Sequence, residues 1–212
     1  MNLLDAQSIV TDLGVLGVLG VLFTETGLLV GLIFPGDSLL FVAGVAASGT
    51  TAALLNGAHL SIGALLIGAP IATILGSQLG YYLGTKYGRP FFDRPDGRFF
   101  NHNRVVATEK WLRKYGPGRA IILARYIPMV RTLINPLCGI VRVPVSKFLL
   151  FNVIGGILWS DGIIILGYIL GEKLQGSIDS YLLPIVGAII FISLLPLGLQ
   201  IIREIRTRRH LS

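Results

Sequence analysis

Charge is scarce in this chain of 212 residues: Asp, Glu, Lys and Arg make up 14% of it, where a soluble domain carries about 25%. The depletion falls in long apolar stretches, which is how a chain reads when lipid is the solvent. Lys and Arg are absent from residues 1–85, a stretch whose acids are Asp5, Asp12, Glu25 and Asp37. Cysteine occurs once, at Cys138; that excludes an internal disulfide and a cysteine-rich metal site, and leaves packing as its expected role. Histidine is nearly as rare. His59, His102 and His210 lie far apart, so no His-based metal site or phosphatase dyad offers itself, and Ser48 lacks a histidine partner for nucleophilic catalysis. The chain is not expected to be an enzyme, and neither metal nor cofactor is expected. The N-terminus also lacks the basic region and small-residue cleavage site of a removed signal peptide.

What is present is unevenly placed. The net charge of +7 comes largely from nine basic residues between Lys86 and Arg119 and four more at Arg203, Arg206, Arg208 and Arg209. Basic clusters beside the ends of apolar segments report topology, because such loops stay cytoplasmic. Nucleic acid is not the expected partner. The length suits a single membrane domain over residues 1–212.

Three stretches are long enough to span, at 62–85, 148–171 and 182–202, since about 20 helical residues cross a hydrocarbon core of roughly 30 Å. The first two are rich in glycine, which lets helix backbones approach closely in lipid. Two further apolar stretches are interrupted. Residues 20–48 break at Phe34-Pro35-Gly36-Asp37, and residues 118–140 break at Ile127-Pro128 and again at Asn135-Pro136. Proline removes a backbone donor and disfavours helix in the residue before it. The pieces, about 10 to 15 residues or roughly 15–22 Å as helix, are too short to cross and read as re-entrant hairpins; kinked spanning helices are the alternative. The linker 86–117 mixes basic and aromatic residues, and its segment 103–115 reads as a helix lying on an anionic leaflet, or else as a solvated loop.

The octapeptide Leu79-Gly-Tyr-Tyr-Leu-Gly-Thr-Lys86 recurs as Leu166-Gly-Tyr-Ile-Leu-Gly-Glu-Lys173, identical at six of eight positions. The organisation reads as a first hairpin-plus-span unit (14–85), the basic linker (86–117), a second unit (118–173) and a C-terminal helix (180–204). With every basic cluster on the cytoplasmic face the two units have opposite topology. An all-α membrane protein built on an inverted repeat is a secondary-transporter design.

Inside the apolar segments lie Glu25, Asp37, Arg125 and Arg131. A charge at bilayer depth costs about 2.5–3.5 kcal/mol on insertion scales, so it faces a partner or a cavity. Arginine stays charged and presents a planar fork that fits phosphate oxygens; Arg125 and Arg131 are the candidate phosphate-binding pair. A carboxyl group can exchange a proton, which makes Glu25 and Asp37 candidates for proton or cation coupling. Asn135, Asn152 and Asp161 are secondary cavity candidates. Tyr81, Tyr82, Trp159 and Tyr168 read as packing or interface residues. A purely structural ion-pair cluster is the alternative.

These same residues resemble the DedA family, also called the SNARE-associated or VTT domain family. The matching elements are Glu25-Thr-Gly with Phe34-Pro-Gly-Asp37, the run Gly76-x3-Gly80-Tyr-x2-Gly84-x3-Gly88-Arg89, Arg125-Tyr-Ile-Pro128-x2-Arg131, and Phe148-x3-Asn152-x2-Gly155-x3-Trp159. The resemblance spans residues 15–175 and implies an inner-membrane protein with two opposed re-entrant hairpins. It implies transport of a polyprenyl-phosphate carrier lipid such as undecaprenyl phosphate, linked to the proton-motive force. The acidic pair carries over to Glu25 and Asp37 and the arginine pair to Arg125 and Arg131. Expected partners are membrane lipids, the polyprenyl-phosphate substrate and protons or monovalent cations, with a homodimer left open. A small-solute antiporter, a passive scramblase and a membrane scaffold are the competing readings.

Overall fold

Long apolar runs leave the backbone to satisfy its own hydrogen bonds, and in lipid the helix does so within one segment. The computed structural model describes residues 6–28, 36–49, 60–92 and 102–173, and the regular structure of these residues is entirely helical. In chain order the helices are α1 (Ala6–Gly27), α2 (Gly36–Ala47), α3 (Ile62–Phe92), α4 (His102–Ala124), α5 (Pro128–Ile140) and α6 (Val145–Lys173). Two of them are long and apolar enough to cross a membrane by length and composition, over Ile62–Gly88 and Val145–Lys173. Each turns large apolar side chains outward, Ile67, Ile71 and Leu75 on α3 and Leu150, Leu158 and Leu166 on α6. In water so broad an apolar face would seek a partner; lipid is its natural solvent.

Several expected boundaries move. The span expected at 62–85 lies within a helix that continues to Phe92, so the first residues of the basic linker are helical. Lys86 is still helical and lies near the rings of Tyr82 and Tyr87, 5.8 and 5.2 Å from their centroids. The linker helix expected at 103–115 is the first part of α4, which bends at Gly116 (φ 72°, ψ 156°) before Pro117 opens the next helical piece. Only glycine takes that backbone without strain, and proline suits a first helical turn. Helix α1 starts at Ala6, ahead of residue 14, and is interrupted at Gly14 (φ 58°, ψ −146°). The span expected at 148–171 runs slightly longer at both ends.

The second broken stretch is broken once, not twice. Its first interruption is as expected: α4 winds down through the tight bonds Arg125 N–H to Ile122 and Tyr126 N–H to Leu123. Ile127 is then extended (φ −113°, ψ 106°) ahead of Pro128, as a residue before proline prefers. At Asn135-Pro136, however, α5 runs straight through. Proline deletes one backbone donor there, and packing outweighs the loss, because Gly84 of α3 seats directly on the Pro136 backbone. Of the first break, Phe34 and Pro35 lie outside the described residues, as do the span expected at 182–202 and the basic tail.

Glycine sets how closely the helices meet. A Cβ on Gly27 of α1 would lie 2.8 Å from the Gly76 carbonyl oxygen of α3. Gly84 of α3 packs on Pro136 of α5, and Gly171, its counterpart in the repeated octapeptide, packs on Ser48 beside α2. Gly167 likewise seats on the Phe41 carbonyl. Helix α3 therefore packs against α1 and α5, while α6 packs against α2, α3 and α4. Each long helix leans on the second arm of the other half's broken stretch.

Replacing Gly76 by leucine should lower stability by about 2 kcal/mol or more, since a Cβ there already meets the Phe23 carbonyl at 2.5 Å. Gly162→Ala, with nothing within 4 Å of its Cβ position, should be neutral within about 0.5 kcal/mol. Thermal unfolding of the detergent-purified variants checks both.

Candidate functional site

The site begins with Arg131, one turn into α5, where the helix following Pro128 points it back toward the first half of the chain. Its Nη2 donates to Glu25 Oε1 at 2.5 Å and its Nη1 to Asp37 Oδ1 at 2.6 Å. Glu25 comes from the last turn of α1 and Asp37 from the first turn of α2, where the helix dipole favours a negative charge. Gly36 is required beside it: a Cβ there would collide with the Glu25 carboxylate. Below the guanidinium lies Trp159 of α6, its ring centroid 4.3 Å from Arg131 Cζ. The indole Nε1–H donates to Asp37 Oδ1 at 2.9 Å. Four helices thus meet on one ion triad.

Arg125 occupies the turn between α4 and α5 and has a different environment. Its Nη2 donates to Ser77 Oγ at 3.1 Å and to Asn152 Oδ1. Asn152 in turn donates to the Ile74 carbonyl at 3.3 Å. Asn135, four residues beyond Arg131 on the same face of α5, donates to the Thr26 carbonyl at 3.0 Å and to Ser77 Oγ at 3.3 Å. Ser77 therefore joins the Arg125 branch to the strand of contacts beside Glu25. Glycine makes room again: a Cβ on Gly155 would lie 3.0 Å from Arg125 Cδ.

The cluster is deeply buried, with Glu25, Arg125, Arg131, Asn135, Asn152 and Trp159 each at or below 4% exposure. Asp37 is the exception, its side chain 28% accessible, so the triad opens outward at that carboxylate. Burial leaves some polar atoms without a protein partner: Arg125 Nη1, Arg131 Nε and Glu25 Oε2. Among the described residues Arg125 has no carboxylate partner at all. Such unpaired buried charge is rare, because desolvation of an ion is costly unless something compensates it.

The structure brings Glu25, Asp37 and Arg131 together and, beside them, Arg125, Asn135 and Asn152 around Ser77. Asp161 is not part of either group. It follows Trp159 by two residues, about 200° around the helix, is partly exposed, and accepts a 3.4 Å bond from Ser160. Trp159 corrects the opposite way, as a site residue where packing was expected. The available signal was its spacing of seven from Asn152, which puts both on one helix face. Tyr81 does pack, stacked 4.7 Å from Phe148, with its hydroxyl donating to Val143.

Residues 34–169 match the VTT domain family. Protein DedA of Escherichia coli is 38% identical over 186 residues, covering 88% of this chain and 81% of the relative. An uncharacterized membrane protein of Mycobacterium tuberculosis is 34% identical over 194 residues, 92% of this chain and 81% of its own. One of Mycobacterium leprae is 35% identical over 176 residues, at 83% and 74%. No solved structure matches the chain.

Removing the shared cation should strand the buried Glu25 carboxylate and the partly accessible Asp37. Arg131→Met is expected to destabilise the protein by about 3 kcal/mol or more. Adding Glu25→Gln and Asp37→Asn should recover a large part of that loss, a non-additivity that unfolding of the single and triple variants measures directly.

Proposed function

The chain belongs to the DedA family of VTT-domain proteins, and from that premise we propose that it transports a lipid phosphate of the polyprenyl-phosphate class across the cytoplasmic membrane. It is a membrane protein, as its two long apolar helices and its family agree. The reading rests on one observation above the others: a buried arginine, Arg125, which among the described residues has no carboxylate in contact and no partner for its Nη1. A guanidinium held this way by neutral groups is an anion receptor, with its fork preset for phosphate oxygens.

Charge balance then supplies a coupling scheme. Two arginines and two ionised acids sum to zero, and in this state Arg131 is occupied by Glu25 and Asp37. Protonating either acid releases a guanidinium N–H and leaves one net positive charge, which a phosphate oxygen can neutralise. Proton uptake and anion uptake thereby become one event. Asp37, the accessible member, is the entry point for the proton, while Trp159 keeps Asp37 and Arg131 in register. The isoprenoid tail stays in lipid along the apolar outer faces of α3 and α6.

Alternating access follows if α1–α2 and α4–α5 are re-entrant hairpins entering from opposite faces. Support comes from the repeated octapeptide, from the breaks flanking Asp37 and Pro128, and from the reciprocal packing of α3 on α5 and α6 on α2. The basic linker is assigned to the cytoplasmic side by its charge.

Transport of a polyprenyl phosphate by reconstituted vesicles tests the reading. Arg125→Gln should slow it about tenfold or more, the loss of a charge-assisted phosphate contact. Acidifying the loading side should accelerate the wild type, and Glu25→Gln should flatten that response. Unimpaired transport by Arg125→Gln would sink the proposal; transport indifferent to pH would leave a passive scramblase.

A further inference from the structure

A second group of cations lies away from this network, where α4 faces the turn joining α5 to α6. A cavity of about 360 Å³ opens there, lined by Arg113 of α4, Arg142 of the turn and Lys147 of α6, with Glu109, Leu112 and Val141 among its other walls. All three cations are exposed, and none forms a salt bridge with a described residue. One carboxylate, Glu109, stands against them on the lining.

Two of these cations sit where local physics disfavours them. Arg142 has φ 56°, the one positive φ outside glycine among the described residues. It occupies the left-handed position of a Schellman cap: its N–H bonds the Gly139 carbonyl at 3.2 Å, and the Val143 N–H bonds Cys138 at 3.0 Å. Glycine is the usual occupant because a side chain there is strained. The turn is otherwise secured without the arginine side chain, by the Tyr81 hydroxyl on the Val143 carbonyl at 2.6 Å and by Pro144 leading into α6. Lys147 lies in the first turn of α6, the positive end of the helix dipole, where a cation is repelled. The unpaired N–H groups of that same turn add to the positive potential. Neither placement is favoured by the local energetics of turn or helix. Strain that the surroundings do not require points to function.

We propose that this cavity binds a phosphate oxyanion, of the kind a phospholipid headgroup presents or inorganic phosphate supplies. Arg142, Arg113 and Lys147 would grip the oxygens, and Leu112 and Val141 would lie beside the apolar part of a headgroup-bearing ligand. The site shares no residue with the Arg125–Arg131 network and does not depend on the transport reading.

The discriminating variant is Arg142→Gly, which removes the charge while giving the cap its preferred residue. The full chain is purified in maltoside detergent, which carries no phosphate, and titrated with phosphatidylglycerol or, separately, with inorganic phosphate, reading bound mass and Tm. Wild type should bind; Arg142→Gly and Lys147→Gln should each bind about tenfold more weakly, with the ligand-free Tm of Arg142→Gly no lower than wild type. Binding of phosphatidylglycerol alone assigns a lipid source, and equal binding of inorganic phosphate a small anion; either supports the site if Arg142→Gly weakens it. Wild-type affinity in Arg142→Gly, absence of binding to both probes, or a lower ligand-free Tm in Arg142→Gly overturns it. The Arg125→Gln variant should keep the Arg142-dependent binding, so failure here leaves the transport proposal standing.

Discussion

The structure turns on a single guanidinium shared by two carboxylates. Arg131 reaches Glu25 and Asp37 at once, from a helix more than ninety residues further along the chain. Taking three charges out of water is unfavourable unless each finds a close opposite, and that requirement dictates much of the surrounding sequence. Gly36 must be small for Glu25 to approach. Pro128 must start α5 so that Arg131 falls one turn in. Trp159 must bring an N–H and a ring face to the same place.

Beside this triad, which carries one net negative charge when both acids are ionised, stands a buried cation with no carboxylate in contact among the described residues. Arg125 is held by Ser77, Asn152 and, through Ser77, by Asn135. Neutral hydrogen-bond partners orient a guanidinium without cancelling its field, so its attraction for an anion survives burial. The two arginines therefore differ in kind, although both lie within three residues of Pro128: one is held by carboxylates, the other, among the described residues, by neutral groups. Asp37 is the least buried member of the group.

How far this was legible beforehand depended on the physics each residue expresses locally. Charges in apolar stretches stand out because insertion penalises them, which is why Glu25, Asp37, Arg125 and Arg131 could be named. Their grouping was legible from the breaks that place them at similar depth. Asp161 is equally conspicuous by that criterion, yet a two-residue offset from Trp159 turns it to the other side of α6. Trp159 was hidden because an indole satisfies both a packing and a hydrogen-bonding reading. Pro136 misled for a related reason: its effect on its own backbone is local, whereas the seat it offers Gly84 is tertiary. The end of α3 was set too early at the first lysine, because a lysine stem can run along its own helix to reach aromatic rings.

The crossed arrangement of Gly84 on Pro136 and Gly171 on Ser48 bears on how such a chain comes into being. The first half, emerging from a ribosome, carries a long helix, α3, that finds α1 already made but not α5. Its contact of Gly84 on Pro136 can form only once residue 136 has been synthesised, and that of Gly171 on Ser48, beside α2, only after residue 171. The contacts that cross between the halves can therefore form only after both have been made.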